Sequence, residues 1–559
     1  MFFPSRLYAF GKMVRPAHAL FLAILLGCGS DTTTPAALPI LSGGIRISPG
    51  VVEVKPGETQ ALQVQVSDAS GNVIATPVVD WTTSDAGVAT VTGSGMVAGV
   101  SVGFAWIVAR SGGASDTAEV RVIPDTPVGA VIDVYPEVLY QEMTGWEGTA
   151  QVGEVECNAS AFSASRSELI TRLVNELGIN RVRLETRSGH ENPQDYYTAY
   201  KNTRQPSVWN PHRYEAINDN DDPRLARAGG FQFAELDHKA DVIIQPMRAL
   251  LQARGERLYV NLNYVDFGTS AFEHSSDPEE YAELILQAFL HLKDRYGWVP
   301  DAVEIILEPD NTANWKPDVI GRAIVATGDR LRAAGFRPAF IAPSNTSMSS
   351  ALSYLNGVLA VPRVLEYLTD VAYHRYSNVS SATVAAIAAR ANQFGLRTAM
   401  LEHIGSPYQD LHEDLRLGQN SSWQQFVLAW CATSDNGGHY YRFDQTVQTS
   451  SSVTLGGRSR YFRQYFPFIR LNARRIGAAS GDSRLDPLAF RNANGRVVVV
   501  IKAAEGASMQ LRRLPPGSYG VTFTTASQSF VSLGDMNVSA SGTLQVSIPA
   551  AGVITIHQR

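Results

Sequence analysis

The sequence predicts an α/β protein: a (β/α)8 TIM barrel with an attached C-terminal β-sandwich, preceded by a small all-β domain. Three patterns carry this. From about 160 to 445, amphipathic stretches ending in Gly lead into short apolar runs, as in NELGINRVRLE, DRYGWVPDAVEIILE and NQFGLRTAMLE. Gly just past a helix accepts positive φ without a Cβ clash, and helix-then-strand units repeated this often imply parallel strands joined by crossover helices. No Gly-rich phosphate loop follows any strand, which disfavours a doubly wound sheet. On either side of this region the apolar residues alternate with period two between turn signals, the mark of sandwich strands.

The N-terminus reads as a targeting segment. Arg6, Lys12 and Arg15 precede an apolar run from Ala19 to Leu26, too short to span a bilayer core of about 30 Å. The run ends in Leu25-Leu26-Gly27-Cys28, which resembles a bacterial lipobox and implies cleavage before Cys28 and lipidation of its thiol. Residues 1–27 are then a lipoprotein signal peptide and 28–43 a polar, Pro/Ala-rich tether. The resemblance places the protein in the cell envelope, held to a membrane through Cys28, with the outer membrane or cell surface as the expected site.

Residues 44–125 contain IRISP, VVEVKPGE, ALQVQVSD and AEVRVIP, and resemble the group 2 bacterial immunoglobulin-like domain. Trp81 would be its core aromatic, and Gly95 and Gly99 would lie in tight turns. The domain carries no clustered acid, base or nucleophile, so a spacer is its expected role. The barrel is expected over 142–455. Residues 131–141 join 470–559 in the β-sandwich, where LAFRNANGRVVVVIKA is a hairpin turning at Asn494-Gly495.

Charged residues make up only 18% of the chain and the net charge is -6, so the basic face that nucleic-acid binding requires is missing. A neutral partner such as a glycan fits better. Beyond Cys28 only Cys157 and Cys431 remain; they either pair or stay as buried thiols. Two distant cysteines make no metal-ligand cluster. The acidic run Asn218–Asp222 lacks the spacing of a known Ca2+ loop and reads as a solvated loop. Neither metal nor cofactor is expected, and a monomer is.

In such barrels the working residues sit at the C-terminal ends of the strands. These ends read Arg183 and Glu185, Asn261 and Asn263, Glu308, Ser344 and Asn345, His374 and Tyr376, then Glu402. VEIILE and TAMLE are apolar runs that each end in a carboxylic acid. An isolated buried charge costs several kcal/mol unless paired, so two such acids at one end of a barrel need a reason. Glycoside hydrolysis supplies one: a carboxylic acid protonates the leaving oxygen while a second carboxylate attacks or activates water. Glu308 would end the fourth strand and Glu402 the seventh. Arg183 and Tyr376 would keep Glu402 ionised, and His374 would orient either group or a substrate hydroxyl. Trp146, Trp315 and Tyr264 are candidate sugar-stacking faces, and Glu185 and Glu147 weaker site candidates.

This layout resembles the clan A glycoside hydrolases, and within them family 30. YQEMTGWEGTAQ is similar to that family's opening segment and EPDNTANW to its acid/base loop. RSRYFRQYFPFIRLNARRIG is similar to its last helix, which leads into the sandwich. The resemblance spans about 131–559. It implies a retaining enzyme acting on β-glycosidic bonds of an extracellular oligo- or polysaccharide, with Glu308 as acid/base and Glu402 as nucleophile. Its Glu308 would start with a raised pKa. Leu307 stands where the clan usually has an Asn that binds the sugar 2-hydroxyl; Asn311 or Asn345 would have to replace it. That departure leaves a second reading open, a catalytically inactive glycan-binding surface lipoprotein. The long aromatic and polar loop from about 187 to 238 is expected to shape substrate choice.

Overall fold

The computed structural model describes residues 44–68, 72–123, 129–154, 159–268, 270–432, 434–443 and 453–559. Cys28, with the signal segment and tether, lies outside the described residues, and so does Cys157. Cys431 is disulfide-bonded.

Eight of the ten strands of the central sheet close the barrel: β1 (Gly145–Thr149), β2 (Arg181–Arg187), β3 (Tyr259–Val265), β4 (Ala302–Glu304), β5 (Ala339–Ser347), β6 (Leu368–Ser377), β7 (Arg397–Glu402) and β8 (Asn420–Cys431). Each pairs in parallel with the next, and β1 returns to β8 with Trp146 opposite Trp423, closing the barrel. The Gly-terminated helices predicted between strands are present. The helix Pro278–Tyr296 starts at Asp277, whose side chain accepts from the Glu279 amide at 2.9 Å. It stops at Gly297, where φ is +73° and the amide donates to Lys293 O at 2.9 Å. Its buried Tyr281, Leu284, Ile285, Ala288, Phe289 and Leu292 supply the apolar face.

The barrel interior is unusually polar. All seven residues of β2 are buried, and their alternation places Arg181, Arg183, Glu185 and Arg187 on one face. Arg181 pairs with Glu147 and lies over the Tyr259 ring at 4.4 Å. Asn261 donates to Glu304 at 2.8 Å and to Glu147 at 3.2 Å. These groups are tied across the barrel, because stripping water from a charge costs several kcal/mol that only paired, hydrogen-bonded geometry offsets.

After the barrel the expected last helix is short, Ser459–Phe462, and continues as turns. It delivers Phe462 and Phe466 to an aromatic cluster with Trp423 and Tyr440, while Tyr465 turns its hydroxyl to His412 at 2.9 Å. Trp146 stacks on Phe466 at 4.4 Å, and its Nε1 donates to Ile469 O at 2.6 Å.

The C-terminal domain is one nine-stranded sheet in which Gly129–Glu142 lies between Arg474–Gly481 and Ala507–Arg512. Ile132, Leu511 and Val546 from one wing and Val499, Phe523 and Ile554 from the other share a single core, so the sheet packs on itself as a sandwich. The Asn494-Gly495 turn joins Leu485–Arg491 to Val497–Ala503 in antiparallel register.

The N-terminal domain is all-β, with a core that includes Ile47, Val54, Ile107 and Val120. Gly95 and Gly99 do sit where a Cβ would strike backbone, at 2.8 Å from Leu62 O and 2.5 Å from Lys55 O. Trp81 only half-buries itself against this core. The domain is docked on the barrel: Arg121 donates to Gln419 at 3.0 Å, and Arg46 donates to Phe394 O at 3.3 Å while covering its ring. Among the described residues no helix is long and apolar enough to cross a membrane.

Trp146 therefore joins β1 to the segment that leads into the sandwich. Trp146→Ala is expected to lower the unfolding free energy by about 3–5 kcal/mol, the range for truncating a buried large aromatic, as measured by denaturant titration.

Candidate active site

Strand ends β4, β6 and β7 bring Glu308, His374 and Glu402 together. One ligand atom of each, a carboxylate oxygen or ring nitrogen, lies within 4.8 Å of the other two. His374 and Glu402 face each other in the ladder between β6 and β7, so the sheet register itself sets their spacing.

Glu402 is held from two sides. Arg183 Nη2 pairs with Oε2, and Tyr376 OH donates to Oε1 at 2.9 Å. Arg183 is wholly buried. Burial works against its charge, but Glu402, Glu304 and Glu185 outweigh that and raise its pKa, so it stays a cation. Burial, then the charges of Glu402 and Glu308, raise the Tyr376 phenol, which remains a donor.

Glu308 lies beyond the last ladder position of β4, in the left-handed region at φ +50°. A non-glycine residue there is strained by about 1–3 kcal/mol, a cost typical of functional sites. Its amide donates to Ser344 O at 3.2 Å. Two groups clamp the carboxylate: His374 Nδ1 shares a hydrogen bond with Oε1 at 2.9 Å, and Asn311 Nδ2 donates to Oε2 at 2.8 Å and to Thr346 at 2.8 Å. Asp310 fastens the same loop to β5 by accepting from the Thr346 and Ser347 amides at 2.8 and 3.0 Å.

The expectation of a raised Glu308 pKa is corrected by this geometry. Burial pushes it up, but the hydrogen bond and charge of His374, then Asn311 and Arg183, bring it below the ordinary value. His374 moves the other way: burial opposes its charge, yet Glu308 and Glu402 raise its pKa. The two shifts are opposite in direction, as expected for an acid and an imidazole that share a hydrogen bond.

The other candidates divide. Asn263 and Asn345 are fully buried, and neither amide has a hydrogen-bond partner among the described residues. Trp146 and Trp315 are not sugar-stacking faces: each is 1% exposed, Trp146 in the aromatic cluster above and Trp315 against Tyr264 and Tyr281. Tyr264 is equally enclosed, with its hydroxyl on His274 at 3.0 Å. Glu147 is bound to Arg181, and Glu185 accepts from Gln151 at 2.9 Å and pairs with Arg187. Leu307 is buried, its amide donating to Tyr264 O at 2.9 Å.

Sequence reasoning missed Thr149 and Gln424. Thr149 accepts from Arg183 Nε at 3.0 Å, and Gln424 bonds Leu401 O beside it. A polar residue on an inward position of a barrel strand was the available signal. The loop after β2 carries its own small core of Tyr197, Tyr200 and Trp209. It brings Tyr214 edge-on to Phe267, which is 44% exposed just past the end of β3; Tyr376 at the end of β6 is also exposed.

Residues 43–122 match the bacterial Ig-like domain (group 2), and the N-terminal domain is of that kind. No curated protein matches the chain. Several solved structures share the fold of the remainder. The catalytic domain of GH30 xylanase C from Talaromyces cellulolyticus aligns with a TM-score of 0.55 at 15% identity, over 77% of this chain and 100% of that one. SrfJ from Salmonella typhimurium aligns at 0.56 and 12%, over 79% and 96%. An endo-β-1,6-glucanase aligns at 0.53 and 13%, over 78% and 96%.

The two opposed shifts define a pH window. Glu308, lowered from 4.5, contributes stability above that value and loses it as pH falls through its folded pKa. His374, raised from 6.5, contributes stability below that value and loses it as pH rises through its folded pKa. The stability difference between wild type and His374→Gln is therefore expected to be largest between about pH 4.5 and 6.5 and to shrink on both sides, as read from thermal unfolding across pH.

Proposed function

We propose that the protein is a retaining glycoside hydrolase acting on β-glycosidic bonds of an oligo- or polysaccharide outside the cytoplasm. The observation that carries this reading is the approach of Glu308 and Glu402 oxygens to within 4.8 Å. Retaining enzymes hold their two carboxyls about 5–5.5 Å apart, whereas inverting enzymes leave roughly 6.5–9.5 Å for a water. The shared fold with a GH30 xylanase and an endo-β-1,6-glucanase supports the reaction class, and the difference between those two leaves the sugar to the loops.

Glu402 attacks the anomeric carbon while Glu308 delivers a proton to the glycosidic oxygen. The C–O bond breaks, the leaving sugar departs as an alcohol, and a glycosyl ester forms on Glu402. Glu308, now a carboxylate, takes a proton from water as that water attacks the same carbon and releases Glu402. Arg183 pairs with one Glu402 oxygen and Tyr376 donates to the other, which holds the carboxylate in place for attack. The proton for the first step comes from the Glu308–His374 pair. A bound sugar that displaces water strengthens the burial effect on Glu308 and draws the proton from the imidazole to the carboxyl. Asn311 keeps Glu308 aimed through its Nδ2.

Glu402→Gln is expected to abolish turnover of all substrates. Glu308→Ala should lose about 10²–10⁴-fold on substrates with poor leaving groups and little on activated aryl glycosides. Azide should rescue it and give a glycosyl azide of retained configuration. The assay is product NMR on a glycan panel; an inverted first product removes the mechanism, and binding without turnover on the whole panel marks a glycan-binding protein.

We also propose that the protein is lipid-anchored in the cell envelope through Cys28. Cys28→Ser should abolish lipid labelling and shift the protein from the membrane to the soluble fraction; unchanged fractionation and labelling would sink the anchor.

A further inference from the structure

At the rim of the barrel, the loop after β2 meets the first turn of the helix Pro278–Tyr296. Glu191, Asp219 and Glu280 each place a carboxylate oxygen there within 4.8 Å of the other two. They are 0%, 9% and 3% exposed, so Asp219 is not the solvated loop residue that the run Asn218–Asp222 suggested. Glu191 is committed on both oxygens, accepting from the Asp219 amide at 2.9 Å and from His274 Nε2 at 2.7 Å. Asp219 Oδ1 and Glu280 Oε2, by contrast, are buried with no hydrogen-bond partner among the described residues. Glu283, one turn along the helix and 2% exposed, adds a third unpartnered oxygen, Oε2. The nearby cation Arg330 is engaged elsewhere, with Glu279 at 2.8 Å.

Asp219 keeps one donor, the Arg227 amide on Oδ2, and Glu280 keeps one, Asn218 Nδ2 on Oε1 at 3.5 Å; their second oxygens are buried without a donor or counter-ion, which is costly. Either protons or a cation must answer them. Oxygens bound to one Ca2+ at about 2.3–2.6 Å lie at most roughly 4.6–5.2 Å apart, and the three carboxylates meet that limit. The donors are all hard oxygens from protein, which suits Ca2+; Mg2+ holds on to its waters. We propose that Asp219, Glu280 and Glu191, with Glu283 beside them, form a Ca2+ site that pins the loop after β2 to the helix Pro278–Tyr296. The ligands come from three separate segments, which is why no loop motif marks them in the sequence.

The test uses the intact protein after chelator treatment. Equilibrium dialysis should find one Ca2+ per chain bound at this site, and a hundredfold excess over Kd should raise Tm by roughly 5 °C. The isosteric variants Asp219→Asn and Glu280→Gln should lose both effects while keeping the wild-type circular dichroism. The wild-type measurement decides by itself if either variant fails to fold. Absence of stoichiometric Ca2+ binding by the wild type overturns the site. So does a wild-type Tm that is indifferent to Ca2+ and falls as pH rises toward 8, which would mark a proton-sharing cluster. Folded variants that bind as the wild type does would overturn it as well.

Discussion

The Arg183 guanidinium has no route to water, so protein must meet each of its nitrogens. Nε donates to Thr149 on β1, Nη1 to Leu401 O on β7 at 3.4 Å, and Nη2 to Glu402 at the end of β7. One cation on β2 thereby ties the seam where the barrel closes to the proposed nucleophile. The cost of burying a charge is offset only by well-made bonds, so any drift of β1 or β7 would be penalised through Arg183. Glu402 is then held by a group whose own place is set by the closure of the sheet. Glu308 is fixed differently, by a strained backbone and a loop that Asp310 and Asn311 lash to β5. The site has one rigid side built on strands and one built on a braced turn.

Charge is layered along the barrel interior. Arg181 with Glu147 and Asn261 with Glu304 occupy one level, and Arg183, Glu402, His374 and Glu308 the next toward the strand ends. Each group sees the field of the level beside it: Glu304 is among the charges that raise Arg183, and Arg183 among those that lower Glu308. The pKa values at the mouth are therefore properties of the whole stack. This is the physical reason that a lone strand-end carboxylate says little, whereas several inward polar positions on consecutive strands say a great deal.

Much of this was legible in the sequence. Gly after each helix and an acid after each of two apolar runs were enough to indicate the barrel and the pairing of Glu308 with Glu402, because strand order and the period-two rule leave few alternatives. Tyr376 and Arg183 followed from the same registers. The aromatics misled: Trp146 and Trp315 were placed by adjacency to strand ends, but whether a ring faces a cleft or a core depends on distant partners such as Phe466 and Tyr281. The direction of the Glu308 shift was also beyond reach, since it turns on a hydrogen bond to His374 sixty-six residues away. The acidic corner of Glu191, Asp219 and Glu280 could not be read either, for its members share no spacing.

The N-terminal domain meets the barrel at Phe394 and Gln419, the residues that lead into β7 and β8. Those are the floor ends of the strands, and Glu308 and Glu402 stand at the opposite rim. A domain seated under the floor casts no shadow over the rim and leaves the opening uncovered from that side. The immunoglobulin-like module is thus joined to the barrel on the side away from Glu308 and Glu402.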